Sequence, residues 1–145
     1  MTTAHPTDPN FAKAYSAAWT SDPDAMVGYF AADGVYTDVA LDGRYQGHEE
    51  IARFHRFMLK FTSDTVIEFG DTHASDGRLY AKWVWSGSFD GPLRLRSGKL
   101  IDAMGTQFSV PGVAVCTYDA NGKLTSHDDY WDLATVLDQA GVPIG

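Results

Sequence analysis

The sequence predicts an α+β domain in which a curved antiparallel sheet is covered on one face by three N-terminal helices, giving the shape of a cone. Two proline-led helical segments open the chain, and a third helix follows one short strand. Residues 65–131 then alternate almost throughout like strands separated by turns, which is the arrangement of an α+β fold. The 145 residues make one domain, with residues 1–8 expected to form a flexible tail.

The helices are predicted from their start signals and from apolar spacing. Asp8 precedes Pro9 and Asp22 precedes Pro23, so each pair offers an N-cap followed by a proline suited to the first turn. Asp132 offers a further cap for a short final helix. The predicted helices span residues 9–20, 23–33, 49–60 and 133–138.

The strands are predicted from alternating β-branched and aromatic residues bounded by turn residues. Asp76-Gly77 and Asn121-Gly122 tolerate positive φ angles and therefore predict two hairpins. The sequence does not predict a conformation for the basic, glycine-bearing segment 91–103. The predicted strands span residues 35–41, 65–69, 79–89, 106–118 with a kink at Pro111-Gly112, and 124–131.

Charge and composition exclude several classes of partner. Lys and Arg number 11 against 19 Asp and Glu, a formal net charge of -8, so neither nucleic acid nor an anionic membrane surface is expected to bind. No apolar run approaches the roughly 20 residues of a membrane span, and the first ten residues lack the regions of a signal peptide. The single cysteine, Cys116, cannot form an internal disulfide, so a cytoplasmic location is expected.

Aromatic residues make up 13% of the chain, which indicates an aromatic core or an aromatic pocket. The open end of the predicted cone favours a pocket for a hydrophobic small molecule. Trp83 and Trp85 share one face of a strand and suit either a pocket wall or the core. Trp131, Tyr36 and His55 are the other expected substrate contacts, with a core position as the alternative for His55.

The segment 127–132 carries the leading catalytic candidates. Strand alternation places His127, Asp129 and Trp131 on one face, so an inward Trp131 brings the other two into the hollow. A carboxylate there loses solvation in its charged form and becomes a competent proton carrier. The alternative is that Asp129 only bonds a backbone amide or pairs with an arginine at the rim of the sheet.

Asp38 and Tyr15 are the supporting candidates. Asp38 interrupts an apolar strand, so it faces water at an edge, or it faces inward and pairs with Asp129 as base and acid or orienting group. Tyr15 lies on the apolar stripe of the first helix and either donates its hydroxyl hydrogen to an enolate oxygen or belongs to the core. The histidines lack the paired spacing of a zinc site, and nucleotide-binding glycine motifs are absent, so neither a metal nor a cofactor is expected.

Four segments of the sequence carry a resemblance to a known family: 29–38 (YFAADGVYTD), 47–51 (GHEEI), 85–91 (WSGSFDG) and 122–132 (GKLTSHDDYWD). They resemble the nuclear-transport-factor-2-like superfamily and, within it, the SnoaL-like polyketide cyclase branch. The resemblance implies a cystatin-like α+β cone and a site for small-molecule chemistry. It places Asp129 at an aspartate essential in polyketide cyclases and limonene epoxide hydrolases, and Asp38 and Tyr15 near the base and the oxyanion tyrosine of ketosteroid isomerases.

Two departures from those relatives narrow the expected chemistry. Residues 81–85 (AKWVW) lack the arginine and second aspartate of the epoxide hydrolase triad, and residues 110–112 (VPG) lack the second oxyanion acid of the isomerases. The expected function is cofactor-free acid/base catalysis through an enolate, a cyclisation or isomerisation of a ring-bearing polyketide- or steroid-like substrate, by a homodimer. The alternatives are non-catalytic binding of an apolar molecule, epoxide hydrolysis or dehydration.

Overall fold

The computed structural model describes residues 3–102 and 105–143. Ala103, the last residue of the undecided basic segment, lies outside this range. The described elements are, in chain order, α1 (Phe11–Ser21), α2 (Pro23–Val27), β1 (Phe30–Asp38), β2 (Gly43–Gln46), α3 (Gly47–Phe61), β3 (Val66–Ser75), β4 (Arg78–Ser88), β5 (Leu93–Arg94), β6 (Leu100–Ile101), β7 (Gln107–Tyr118), β8 (Leu124–Trp131) and α4 (Leu133–Gln139).

Six strands form one curved, open sheet in the order β2-β1-β8-β7-β4-β3, and β5 pairs with β6 in a separate ribbon. The predicted α+β class is confirmed. The sheet is antiparallel except that β1 runs parallel to β8, with Tyr36 beside His127 and Asp38 beside Asp129. This parallel pairing puts residues from the two ends of the chain on adjacent strands, about 4.8 Å apart.

Two of the predicted helix caps are confirmed, and one is wrong. Asp22 accepts the N–H of Ala25 at 3.0 Å to open α2, and Asp132 accepts that of Ala134 at 3.0 Å to open α4. The first helix begins two residues later than predicted, because Asp8 accepts the N–H of Asn10 at 2.8 Å and holds residues 8–10 in a turn.

The second helix is much shorter than predicted. It ends at Val27 because the chain joins the sheet at once: Tyr29 O accepts the Leu124 N–H at 2.8 Å, and Phe30 pairs with Leu124. Residues 31–34 bulge between this pair and the next, Val35 with Ser126. Long-range pairing here overrides a local sequence that suits a helix.

β1 ends three residues earlier than predicted. Asp38 Oδ1 accepts the Leu41 N–H at 3.0 Å, and Asp42 takes a positive φ of 60°, so the chain turns and returns as β2. β2 was not predicted as a strand, and β3 ends six residues later than predicted. The undecided segment 91–103 contains the β5–β6 ribbon.

The inner face of the sheet carries the core. Along β4, Leu79, Ala81, Trp83 and Trp85 are buried while the residues between them are exposed, which is the alternation expected of a strand covered on one side. Helices α1 and α3 pack against β3 and β1 and contribute further buried aromatic side chains. No helix within the described residues is long and apolar enough to cross a membrane.

The segment expected to be a flexible tail contacts the body of the domain in its described part. Thr3 Oγ1 lies 2.9 Å from Lys123 Nζ, and the His5 ring packs edge-on against Tyr118 with the ring centroids 5.5 Å apart. Residues 3–5 therefore lie against the β7–β8 hairpin.

Candidate active site

Asp129 lies at the centre of a hydrogen-bonded cluster on the inner face of β8. Its Oδ1 accepts Trp83 Nε1–H at 2.9 Å and a hydrogen bond from His127 Nε2 at 2.6 Å. Its Oδ2 accepts the Tyr36 hydroxyl at 2.6 Å. Because three donors point at a side chain that is only 8% exposed, the cluster fixes the orientation of the carboxylate.

His127 connects Asp129 to Tyr15. Burial alone would lower the pKa of His127, but the neighbouring Asp129 carboxylate raises it well above its ordinary value. The imidazolium then donates from Nε2 to Asp129 and from Nδ1 to the Tyr15 oxygen, which lies 2.8 Å away. Burial raises the pKa of Tyr15, so its hydroxyl stays protonated.

Asp38 occupies a different environment beside Asp129. Its Oδ1 accepts the Leu41 N–H at 3.0 Å and the indole N–H of Trp131 at 3.1 Å. Burial and the nearby Asp129 charge raise the pKa of Asp38 to about 6, against an ordinary value of 3.8. Asp38 therefore exchanges its proton close to neutral pH.

Both carboxylates line one cavity with largely aromatic walls. Its empty volume is about 340 Å³, but the centre of a water molecule can reach only about 20 Å³ of it, which is room for about one water. A ring-bearing ligand therefore needs the walls to move apart. The lining residues are Trp19, Tyr36, Asp38, Met58, Ile67, Phe69, Trp83, Trp85, Asp129 and Trp131.

The structure brings most of the sequence-predicted residues to this cavity. Asp38 is inward and only 3% exposed, which decides against the water-facing alternative, and Asp129 is inward as expected. The four predicted wall residues all line the cavity, namely Trp83, Trp85, Trp131 and Tyr36.

Three predicted residues lie behind the wall. Tyr15 and His127 are fully buried and are not among the residues that line the cavity. The Tyr15 hydroxyl lies 2.8 Å from His127 Nδ1, so it faces His127 in this structure, and its donation to a substrate oxygen stays a prediction. His55 is buried in the core, where its Nε2 lies 2.6 Å from the Trp19 carbonyl oxygen. The structure thus agrees with the alternative core position for His55.

Sequence reasoning missed four cavity residues. Trp19 and Met58 come from α1 and α3, and Ile67 and Phe69 come from β3. The apolar stripes of the helices marked Met58 as inward, but no local signal separates a side chain that lines a cavity from one that fills the core. That distinction depends on how the helices sit over the sheet.

A family model of the SnoaL-like domain matches residues 11–127, so the chain belongs to the SnoaL-like family within the nuclear-transport-factor-2-like superfamily. Among solved structures, it is similar to a hypothetical protein with a ketosteroid isomerase-like fold from Catenulispora acidiphila DSM 44928, in complex with trimethylamine. That similarity has 27% identity over 94% of this chain and 96% of that chain, with a TM-score of 0.79. No curated protein matches the sequence.

Two further structures extend the comparison. A proposed polyketide cyclase from Xanthomonas campestris pv. campestris is 25% identical over 88% of this chain and 92% of that chain, with a TM-score of 0.68. A proposed SnoaL-like polyketide cyclase from Jannaschia sp. CCS1 has a TM-score of 0.73 at 14% identity over 89% of this chain and 88% of that chain, and supports the fold alone.

Proposed function

We propose that the protein is an enzyme that removes a proton next to a carbonyl group and returns it elsewhere, through an enolate, in a cyclisation or isomerisation of a ring-bearing substrate. The observation that carries this proposal is a pair of adjacent carboxylates on one aromatic cavity, held in different environments. Two carboxyl groups in different environments differ in how strongly each holds its proton, and acid/base catalysis requires such a difference.

Asp38 suits the role of proton carrier. Its two hydrogen bonds both end on Oδ1, so Oδ2 is the oxygen available to a substrate proton. The sequence-based hypothesis gave this role to Asp129, but three donors already occupy that carboxylate. We therefore assign Asp129 the role of a fixed negative charge that discourages ionisation of Asp38 and orients Tyr36.

Tyr36 donates its one hydroxyl hydrogen to Asp129 Oδ2, so it serves an enolate oxygen only by exchanging that hydrogen bond for one to the substrate. It lines the cavity, and burial together with the Asp129 carboxylate raises its pKa well above its ordinary range. It therefore remains a protonated donor throughout the neutral range. Donation toward a developing negative charge in a water-poor site is a strong source of catalysis.

Deuterium exchange tests the proposal without knowledge of the natural substrate. β-Tetralone, an aromatic ketone with acidic α-protons, is incubated with the protein in D₂O, and loss of the α-proton signals is followed by NMR. We expect the wild-type chain to accelerate exchange over buffer, and Asp38→Asn to lower that acceleration by about 10²–10⁴-fold. The rate should rise with pH through an apparent pKa of about 6, that of Asp38.

Asp128→Asn is the matched control for this experiment. Asp128 is next to Asp129 in sequence but on the opposite, outer side of β8, so its variant should exchange the ketone at the wild-type rate. Equal rates in the wild-type and Asp38→Asn chains would contradict the role of Asp38. No acceleration by the wild-type chain would contradict proton abstraction from this class of ketone.

A second candidate function, binding of a small organic cation, is favoured by the size and lining of the cavity. Aromatic faces attract ammonium groups, and the two carboxylates supply opposite charge. The similar protein from Catenulispora acidiphila was solved with trimethylamine. Calorimetric titration with trimethylammonium, and with tert-butanol as an uncharged molecule of similar shape, tests this function. Binding of the cation but not of tert-butanol, with the binding lost in Trp83→Leu, would support it.

A further inference from the structure

A groove rich in arginine lies on the surface between α3, β2 and the β5–β6 ribbon. It has a volume of about 1350 Å³, counting the space open to solvent. Four of the six arginines of the sequence line it: Arg44, Arg53, Arg94 and Arg96. This concentration contrasts with the formal net charge of -8 for the whole chain.

The groove carries a small excess of positive charge, four guanidinium groups against the carboxylates of Asp42, Glu50 and Glu49, the partner of Arg53. Among the described residues, neither Arg44 nor Arg94 lies within 4.0 Å of a carboxylate oxygen, whereas Arg53 pairs with Glu49 at 3.3 Å. Two carboxylates, Asp42 and Glu50, also line the groove, against four guanidinium groups. The side chains of Arg44 and Arg94 are exposed and therefore free to meet a ligand.

The floor of the groove is apolar and continuous with the wall of the catalytic cavity. Tyr45 and Phe54 stack in the floor with their ring centroids 4.6 Å apart. Phe54 in turn packs against Tyr36, a cavity residue, with the centroids 4.9 Å apart. One layer of aromatic rings thus separates the groove from the cavity.

Arg96 fixes the ribbon to the chain next to Asp38. Its guanidinium group donates hydrogen bonds to the carbonyl oxygens of Val39 and Ala40, the two residues that follow Asp38. This contact places one side of the groove on the turn that ends β1. Arg96 is therefore engaged in building the groove. Among the described residues, Arg44 and Arg94 have no carboxylate partner, and Arg94 donates one hydrogen bond to the Gly98 carbonyl oxygen at 3.4 Å.

We propose that this groove binds an organic anion in which a carboxylate or phosphate group is carried on an apolar body. A guanidinium group matches the planar or tetrahedral oxyanion with two parallel N–H donors. The floor of Tyr45, Phe54 and Leu93 covers the apolar part. The chain as a whole repels anions, so affinity for one requires a local site of this kind. The proposal does not depend on catalysis in the cavity.

Calorimetric titration of the full chain with decanoate and with decyl phosphate tests the proposal. Both probes carry an oxyanion on the same alkyl body, so the tighter of the two shows whether the groove prefers a carboxylate or a phosphate. Inorganic phosphate and decanol supply the two halves of the ligand separately. We expect at least one amphiphilic anion to bind ten-fold more tightly than either half, and more weakly as salt is raised.

The double variant Arg44→Gln with Arg94→Gln should lower that affinity at least ten-fold, with the circular dichroism spectrum unchanged because both side chains are exposed. Arg78→Gln, which removes an exposed arginine at the start of β4 outside the groove, is the matched control and should bind as the wild-type chain does. Equal affinity for decanol and decanoate, or full affinity in the double variant, would overturn the proposal.

Discussion

Asp38 and Asp129 are the same residue type on neighbouring strands, yet their surroundings give them different chemistry. Asp129 has a positively charged histidine and two further donors, while Asp38 has one indole and one backbone N–H. Burial and the neighbouring Asp129 charge make Asp38 retain its proton to higher pH than an ordinary aspartate does. The hydrogen-bond donors around each carboxylate, rather than the residue type, determine its chemical role.

The raised pKa of Asp38 has a cost in stability. The folded carboxyl binds its proton up to about pH 6, whereas the unfolded one releases it near 3.8. The free energy of unfolding therefore falls as pH rises between these values, by roughly 2–3 kcal/mol in total, and stays lower above pH 6. Asp38→Asn removes a charge whose burial lowers the free energy of unfolding.

We expect Asp38→Asn to be more stable than the wild-type chain at neutral pH by about that amount, and equal to it near pH 4. Urea unfolding at the two pH values measures the difference. Asp128→Asn, on the outer side of the sheet, should show no such pH-dependent gain. A variant that is less stable at neutral pH would show that the charged carboxylate is stabilised in the fold.

The buried pair of His127 and Asp129 gives an opposite expectation. His127→Gln leaves the Asp129 carboxylate without its counter-charge, which should cost about 3–5 kcal/mol in the free energy of unfolding. Adding Asp129→Asn to the same chain removes the orphaned charge and should restore part of that loss. Because the pKa of His127 is raised by folding, its stabilising effect is complete below about pH 6.5 and declines as pH rises through the folded value.

Denaturant unfolding of the two single variants and the double variant, below and above neutral pH, measures this coupling. Strictly additive losses would contradict a charged pair.

At the level of single residues, the sequence predicted the inward direction of Asp129 from the alternation of side chains along the strand. It left the direction of Asp38 open because an aspartate on an edge strand and one on an inner strand have the same local pattern, and β1 is inner only because β2 and β8 flank it.

Among the elements, β7 shows how a glycine supports the site. Gly112 lies opposite Trp83 in the sheet register, and a Cβ atom there would come within 2.2 Å of the Trp83 ring. The indole therefore lies across the strand where only a glycine leaves room, with its Nε1–H aimed at Asp129. The sequence predicted a kink at Pro111-Gly112, but β7 pairs with β4 through both residues without a shift in register.

Gly112→Ala should displace the Trp83 ring and break its hydrogen bond to Asp129, at a cost of about 1–3 kcal/mol in the free energy of unfolding. The indole N–H resonance of Trp83 in the NMR spectrum, together with thermal unfolding, reports the change. Gly70→Ala on β3 is the control, because no atom lies within 4 Å of the added Cβ. An unmoved indole resonance in Gly112→Ala would contradict the steric argument.

Element starts were predicted correctly at two side-chain caps and poorly where pairing with a distant strand sets the boundary. The caps at Asp22 and Asp132 act within three residues of themselves, so sequence alone located α2 and α4 at their starts. The end of α2 and the start of β1 depend on Leu124, almost a hundred residues away. No local pattern carries that information.

For the whole molecule, the outer face of the sheet is the surface most suited to a second copy of the chain. Tyr80, Val84, Val113 and Tyr130 are each between 40% and 49% exposed and lie on the outward side of three adjacent strands. A cluster of large apolar residues on an open sheet is typical of an association surface. The homodimer expected from the sequence is therefore proposed to use this face.

Val84→Glu should make the chain monomeric in sedimentation equilibrium, because it places a charge at the centre of the apolar cluster. Leu100→Glu alters an equally exposed apolar residue on the separate ribbon and should leave the oligomeric state unchanged. A wild-type chain that sediments as a monomer, or dissociation by the ribbon variant instead, would contradict this assignment.

The parallel contact between β1 and β8 also governs when the site comes into existence during synthesis. Tyr36 and Asp129, which share a hydrogen bond, are 93 residues apart in the chain. A nascent chain that has emerged as far as β7 holds one acid of the pair and most of the aromatic wall, but its partner is still inside the ribosome. The pocket is therefore completed only after β8 has emerged and a contact that spans 93 residues has formed.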